Sequence, residues 1–248
     1  MSISPPTGHA VIVGAGIGGL ACAVALHQRG WTVTVLEQAD RLAPIASGIS
    51  LFPNALRALD VLGLAAPIRA SGQTEIGTGI RSPSGRWLSR TDPGALAQRY
   101  GPTVLAHRAD LISLLRDTLP PGTVVTGTQV AGDAITTVGG SDPATLTHAG
   151  GTVTAGVLVA ADGVHSVLRP RLLPACPGPR YAGYTRWRFI AELESDTGAE
   201  TWGRGERFGC ARLPGGGTYC YASAATEAGR HARDGELAEL RKIGRAHV

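Results

Sequence analysis

The chain has 248 residues, enough to bury a full core in one large domain or two small ones. Its net charge of +4 comes from scattered arginines, with no basic block and no interleaved aromatic stripe, which argues against nucleic acid as a partner. The four cysteines (Cys22, Cys176, Cys210, Cys220) form no CxxC pair and have no histidines at ligand spacing, so neither a metal nor a disulfide scaffold is expected, and Cys22 reads as core.

Val11-Ile12-Val13 reads as a buried strand running into Gly14-Ala15-Gly16-Ile17-Gly18-Gly19. In this spacing Gly14 permits a tight turn, Gly16 lets backbone approach a pyrophosphate, and Gly19 allows a helix to pack closely on the strand. The helix is predicted from about Gly18 to Arg29, with Leu20, Ala23, Val24 and Leu26 facing a sheet and Gly30 as its left-handed stop. Its N-terminus is directed at the phosphates. Trp31 to Leu36 is the second parallel strand. Glu37 follows at the roughly 20-residue interval where a carboxylate accepts hydrogen bonds from an adenosine ribose and repels a 2′-phosphate, so FAD or NAD fits better than NADP. The apolar run Val11 to Leu26 has no basic leader, is cut by four glycines and is too short to cross a membrane. A soluble cytoplasmic protein is expected.

Further along, Asn54 is placed as the cap of a short helix with Leu56, Leu59 and Leu62 on its apolar face and Gly63 at its end. Thr74 to Leu88 alternates weakly around Pro83-Ser84-Gly85 and predicts a hairpin of a different sheet. His107 to Leu119 is predicted as a helix stopped by Pro120-Pro121, with Arg108 in its first turn, where a cation and free amides together suit an anion. Short β-rich runs follow at Val124–Thr126, Gln129–Val138, Ala144–His148 and Thr152–Ala155. Val157 to Ala161 is then a continuous apolar strand, expected to be buried on both faces. It ends in Asp162-Gly163-Val164-His165-Ser166-Val167-Leu168-Arg169, facing the same crevice as Gly14 to Gly19. Beyond Pro170 the alternation of Tyr181–Phe189, Trp202–Gly209 and Thr218–Tyr221 predicts a second, antiparallel domain. Glu227 to Leu240 is helix-compatible and reads as a connection back toward the first domain.

Four of these features together resemble the single-component FAD-dependent monooxygenases of the p-hydroxybenzoate hydroxylase fold, the family of salicylate, hydroxynicotinate and urate hydroxylases. They are the N-terminal fingerprint with Glu37, Gly48-Ile49-Ser50-Leu51-Phe52-Pro53-Asn54-Ala55, Arg108-Ala109-Asp110-Leu111, and Ala161 to Arg169. The resemblance implies an α/β fold: a Rossmann-like FAD-binding domain with a parallel sheet (8–72 and 100–172) and an interleaved, mostly antiparallel β substrate domain (73–99 and 173–241). It implies Gly14, Ala15, Gly16 and Gly19 at the FAD pyrophosphate, Glu37 at the adenosine ribose, and Arg108 toward the flavin. Val130 would lie by the adenine. Asp162 and Gly163 would serve FAD and the transient NADH or NADPH, with Arg169 nearby. Arg207 and Tyr219 are candidates to face substrate, equally readable as surface or packing residues. Arg108 is also readable as an ordinary exposed helix arginine, Val130 as core, and His165 as a turn residue.

The implied activity is hydroxylation of a small aromatic or enolic substrate with O2 through a flavin hydroperoxide. No Ser-His-Asp set or carboxylate pair is present to name a catalytic residue, and oligomeric state carries no signal. The residues alone leave two alternatives open: an FAD- or NAD-dependent dehydrogenase, and a non-catalytic dinucleotide-binding module. The family's third motif, Gly-Asp followed by Ala-Ala-His and proline, has no counterpart; Gly132-Asp133-Ala134 reads as a turn. The C-terminal part is therefore expected to be missing and the chain to be an inactive fragment. Residues 242–248 hold the sole lysine and end in Ile-Gly-Arg-Ala-His-Val, which ATC GGA AGA GCA CAC GTC, a common sequencing adapter, would encode, so this tail is expected to be non-native.

Overall fold

A computed structural model describes residues 8–43, 47–74, 78–135, 143–193, 198–232 and 235–245. In chain order the elements are β1 (His9–Val13), α1 (Ile17–His27), β2 (Thr32–Leu36), β3 (Gly48–Leu51), α2 (Pro53–Val61), α3 (Ala65–Ser71), β4 (Gln73–Thr74), β5 (Thr78–Arg81), β6 (Trp87–Thr91), α4 (Pro93–Tyr100), β7 (Val104–His107), α5 (Arg108–Asp117), β8 (Val124–Val125), β9 (Val130–Ile135), β10 (Ala144–His148), β11 (Gly151–Ala155), β12 (Val157–Ala160), α6 (Arg169–Leu172), β13 (Tyr184–Ala191), β14 (Ala199–Trp202), β15 (Glu206–Arg212), β16 (Thr218–Ala225) and α7 (Glu236–Arg245). The chain divides into two compact units, Met1–Pro44 with Leu111–Arg180 and Ile45–Asp110 with Tyr181–Val248.

The first unit is built on a parallel sheet of order β12-β1-β2-β8, all strands pointing the same way. β1 is one of its two inner strands and is buried along Ala10–Val13, as a strand covered on both faces must be. α1 packs on it through Gly19, Leu20, Ala23 and Val24, while Leu26 is half-buried, and Gly30 follows with φ +82°. A second, three-stranded sheet, β11-β10-β9, is antiparallel. Val11, Val13 and Leu36 of the parallel sheet meet Val130, Ile135, Leu146 and Leu168 in one core, where each large side chain contributes about 1.5–3 kcal/mol on burial.

The second unit carries a six-stranded sheet, β13-β16-β15-β14-β5-β6, and a small sheet, β3-β7-β4. The predicted hairpin is present as β5 and β6, with its turn closed by the Gly85 amide donating to the Ser82 carbonyl at 2.9 Å. Strands β13, β15 and β16 fall on the three predicted runs and pair antiparallel, while β14, which shares only Trp202 with a predicted run and was not anticipated, pairs antiparallel with β15 and parallel with β5. Expected boundaries at 72/73, 99/100 and 172/173 differ from this division by compactness. β3 and β7 pair throughout, Gly48 lies against the Tyr219 ring, and His107 Nε2 donates to the Pro214 carbonyl at 3.3 Å, so 47–74 and 104–107 go with the antiparallel strands.

Several local expectations are corrected. Asn54 lies inside α2 rather than capping it: Pro53 opens the helix and Phe52 holds the cap position, because proline's fixed φ suits a first helical turn. Helices α3 and α4 were not anticipated; α4 buries no residue, so it has no apolar stripe to read, and it is capped by Asp92 accepting from the Gly94 and Ala95 amides at 2.8 and 3.1 Å. His107 ends β7, and α5 starts at Arg108. Gly132-Asp133-Ala134 is not a turn but the middle of β9. β12 is not buried on both faces: it is the edge of its sheet, with Val157, Leu158 and Val159 half-buried and Ala160 exposed. Predicted strand positions 136–138 lie outside the described residues. α7 packs on the second unit's own sheet rather than connecting back to the first domain: Ile243 is buried with Ala222 and Ala224 beside Trp187, Phe208 and Leu240. Cys22 is half-buried rather than core. Among the described residues no helix is long and apolar enough to cross a membrane, and no group of three or more His, Cys, Asp or Glu is placed to hold a metal.

Candidate dinucleotide site

In a parallel sheet all carboxyl ends lie on one side, and ligands bind beyond them. Gly14 follows β1, Glu37 follows β2, and Ala161-Asp162-Gly163 follows β12, so one register brings three distant segments together. They line a pocket of about 310 Å³, with Gly14, Gly16, Glu37, Val130, Asp162 and Gly163 on its walls.

The glycine turn is tight. Gly14 has φ +105°, and a Cβ on it would strike the Ala161 carbonyl, 2.8 Å from its carbon. A Cβ on Gly19 would strike the Gly14 carbonyl, 3.1 Å from its carbon, and stand 3.3 Å from the Ala161 Cβ. Gly16 is different. It holds the cap position of α1, and a Cβ there would meet nothing within 4 Å, so its backbone borders open space at a helix N-terminus with no acidic residue in the first turn. An anion approaching that end meets backbone amides and the positive end of the helix dipole.

Glu37 is tied to the turn. Its Oε2 accepts from the Ala15 amide at 2.8 Å and its Oε1 from the Ala39 amide at 2.9 Å. A carboxylate offers about four acceptor positions, so each oxygen keeps capacity for a hydroxyl donor. The Glu37 carbonyl accepts from the Thr128 amide at 2.8 Å, which fixes the loop leading into β9. Val130, at the start of β9, is buried in the core and still borders the pocket. Asp162 Oδ2 accepts from the amides of Val167 at 2.8 Å and Leu168 at 3.2 Å, closing the loop that Gly163 opens at φ +83°. Arg169 donates to the Val164 carbonyl at 3.0 Å and its amide to Ser166 Oγ at 2.9 Å, so it braces the same loop from behind. His165 is exposed in the turn and borders the pocket.

Gln38, Thr128 and Gln129 also line the pocket and were not singled out from the sequence. Their only signal is position, directly after a strand-end acid or before the β9 strand. Three candidates fall in the second unit. Arg108 has its amide donating to the Ser47 carbonyl at 3.0 Å, and its Nε is buried without a partner. Arg207 is exposed, with its guanidinium 4.2 Å from the Trp202 ring centre. Tyr219 is half-buried over Gly48, on the same sheet face as Arg207, since Ala211 pairs with Tyr219 and Ala211 and Arg207 are an even number of residues apart.

The FAD binding domain family matches residues 8–197. Aurachin C monooxygenase/isomerase of Stigmatella aurantiaca is 34% identical over 225 residues, covering 88% of this chain and 57% of that protein. FAD-dependent urate hydroxylase of Klebsiella pneumoniae is 31% identical over 232 residues, covering 89% and 58%. The crystal structure of Klebsiella pneumoniae HpxO complexed with FAD and uric acid matches with a TM-score of 0.84 and 28% identity over 97% of this chain and 62% of that one. The chain spans about half the length of the curated relatives it matches, from 43% to 58%. Because the family match includes every residue lining the pocket, the chain belongs to the FAD binding domain family.

Proposed function

We propose that the protein is an FAD-dependent, NAD(P)H-using monooxygenase that hydroxylates a small aromatic or enolic substrate with O2. The observation that carries this reading is the convergence of the Gly14 turn, Glu37 and the Asp162 loop on one pocket in the first unit. The residues fit a dinucleotide: the open backbone at Gly16 takes a pyrophosphate, Gly14 and Gly19 leave no room for side chains that would push it away, and Ala15 orients Glu37.

In this reading Gly14, Ala15, Gly16 and Gly19 hold the FAD pyrophosphate and Glu37 accepts from the adenosine ribose hydroxyls. Val130 gives the adenine an apolar wall, and Asp162 with Gly163 borders the cofactor on the opposite side. Arg108 supplies a cation toward the flavin end, and Arg207 and Tyr219 face the substrate. FAD, when bound, takes electrons from NADH or NADPH and activates O2 for transfer of one oxygen atom. The chain's own contribution is positioning, exclusion of water and charge placement.

The test is reconstitution of the purified chain with FAD, followed by NADH and NADPH oxidation and O2 uptake over a panel of hydroxylated aromatic acids and heterocycles. Stoichiometric flavin, oxidation accelerated by one aromatic compound, and a product heavier by one oxygen atom support the proposal. Turnover without oxygen incorporation favours a dehydrogenase, a colourless and inert protein favours a non-catalytic module, and flavin binding without turnover is the outcome expected of an inactive fragment of the monooxygenase.

A further inference from the structure

Strands β15 and β16 pair without interruption from Glu206 opposite Ala224 to Arg212 opposite Thr218, which sets Cys210 directly opposite Cys220. The kind of pairing can be read from the ladder's two ends. The Ala225 amide donates to the Gly205 carbonyl at 2.7 Å, and the Leu213 amide to the Gly217 carbonyl at 3.0 Å, so the pairs formed by 205 and by 213 are hydrogen-bonded pairs. Such pairs alternate with non-hydrogen-bonded ones along an antiparallel ladder. Residue 210 lies an odd number of positions from both, so Cys210 and Cys220 form a non-hydrogen-bonded pair.

That distinction matters because the two kinds of pair differ in spacing. Non-hydrogen-bonded partners have Cα atoms about 4.5 Å apart and their side chains closest, inside the roughly 4.4–6.8 Å range that a disulfide spans. Both thiols project to one face of the sheet, the face that α7 covers through Phe208 and Ala222. Cys210 is half-buried and Cys220 is fully buried, so Cys210 is the more accessible of the two.

We propose that Cys210 and Cys220 are a redox modification site that closes to a cross-strand disulfide under a peroxide oxidant. The Cys210 sulfur attacks one peroxide oxygen, the O–O bond breaks, and the products are a sulfenic acid on Cys210 and one water. The Cys220 thiol then attacks the Cys210 sulfur, an S–S bond forms, the S–O bond breaks, and the Cys220 proton leaves with the hydroxyl as a second water. One peroxide is reduced and two thiols are oxidised. Burial and the neighbouring Cys210 sulfur push the Cys220 thiol up to about 11, which agrees with closely apposed sulfurs and with Cys220 as the resolving partner rather than the first one oxidised. The closed link would fix the mutual register of the strands that carry Arg207 and Tyr219.

The experiment is titration of the native chain with hydrogen peroxide, blocking of remaining thiols, and mass spectrometry of a non-reduced tryptic digest. Cleavage after Arg207, Arg212 and Arg230 puts the two cysteines in separate peptides, 208–212 and 213–230. The expected result is a linked pair of these peptides, lighter than their sum by two hydrogens, restored by a thiol reductant and absent in Cys210→Ser and Cys220→Ser. Cys176, exposed on the other unit, is the internal measure that oxidant was present. Oxidation of Cys176 with 210 and 220 both remaining thiols would overturn the proposal. So would accumulation of sulfinic acid on Cys210, or a link from either residue to Cys22 or Cys176 in the folded chain.

Discussion

Gly18 and Gly19 are adjacent in the first turn of α1, and alanine at each is expected to move stability in opposite directions. At Gly18, which is exposed, an added Cβ meets nothing within 4 Å, so the substitution only raises helix propensity and restricts the unfolded chain. The gain is about 0.5–1 kcal/mol. At Gly19 the same intrinsic gain is opposed by a Cβ driven into the Gly14 carbonyl, with the Ala161 Cβ 3.3 Å away. These are backbone and packed atoms that cannot swing aside, so α1 must lift from the turn. Overpacking of this kind costs about 3 kcal/mol at its upper end, leaving a net loss of about 2 kcal/mol. For a chain of this size, each kcal/mol corresponds to about 2–4 °C in Tm. Gly18→Ala is therefore expected to melt a few degrees higher and Gly19→Ala about 4–8 °C lower, followed by circular dichroism. FAD titration by flavin fluorescence should show Gly19→Ala the weaker binder. Equal or raised Tm in Gly19→Ala, or the same direction of change in both, would refute the packing argument.

Glu37→Gln is expected to weaken FAD binding about 10- to 100-fold, since a hydrogen bond to a charged group is worth about 1.5–3 kcal/mol and the new amide would turn a donor toward the Ala15 or Ala39 amide. Flavin fluorescence titration reads the change directly. Ile243→Ala is expected to cost about 2 kcal/mol by leaving a gap against Ala222 and Ala224. Trp187 lies in the same cluster and donates to Glu236 Oε2 at 2.6 Å, so its emission should report loosening of α7 before global unfolding. For pH, Cys220 is pushed up to about 11 by burial while the same thiol in the unfolded chain ionises near 8.5, so the unfolded state holds fewer protons between these values. This contribution to stability is intact below about pH 8.5 and is lost as pH rises toward about 11. Urea midpoints of the parent and Cys220→Ala should therefore converge with rising pH across that window.

The glycine turn was legible because its constraints are local: three backbone positions and one acid at a fixed distance determine strand, turn, helix and second strand. The runs that became β10, β11, β13, β15 and β16 were legible for a similar reason, alternation over stretches long enough to choose a face, whereas β14 shares only Trp202 with such a run. What escaped depended on partners far away in sequence. A continuous apolar run such as Val157–Val159 looks the same at the centre or the edge of a sheet, and only β1 pairing on one side reveals which it is. Gly132-Asp133-Ala134 has turn composition, but Gly132 sits where a Cβ would come 3.0 Å from the Val167 carbonyl, so the glycine answers to a neighbouring loop. α4 offered a readable cap in Asp92-Pro93 but no buried face to support it. The small sheet's assignment rests on Gly48 against Tyr219, a contact that local pattern does not encode.

Asp162 holds its loop through the amides of Val167 and Leu168, and Leu168 is wholly buried beside Val13, Leu36 and Val130. The edge of the pocket formed by this loop is thus nailed to the interior by a hydrocarbon peg. A change at Leu168, a residue no ligand would ever touch, will announce itself as altered recognition, and surveys of variants that score only residues in reach of the bound molecule will overlook one that governs its doorway.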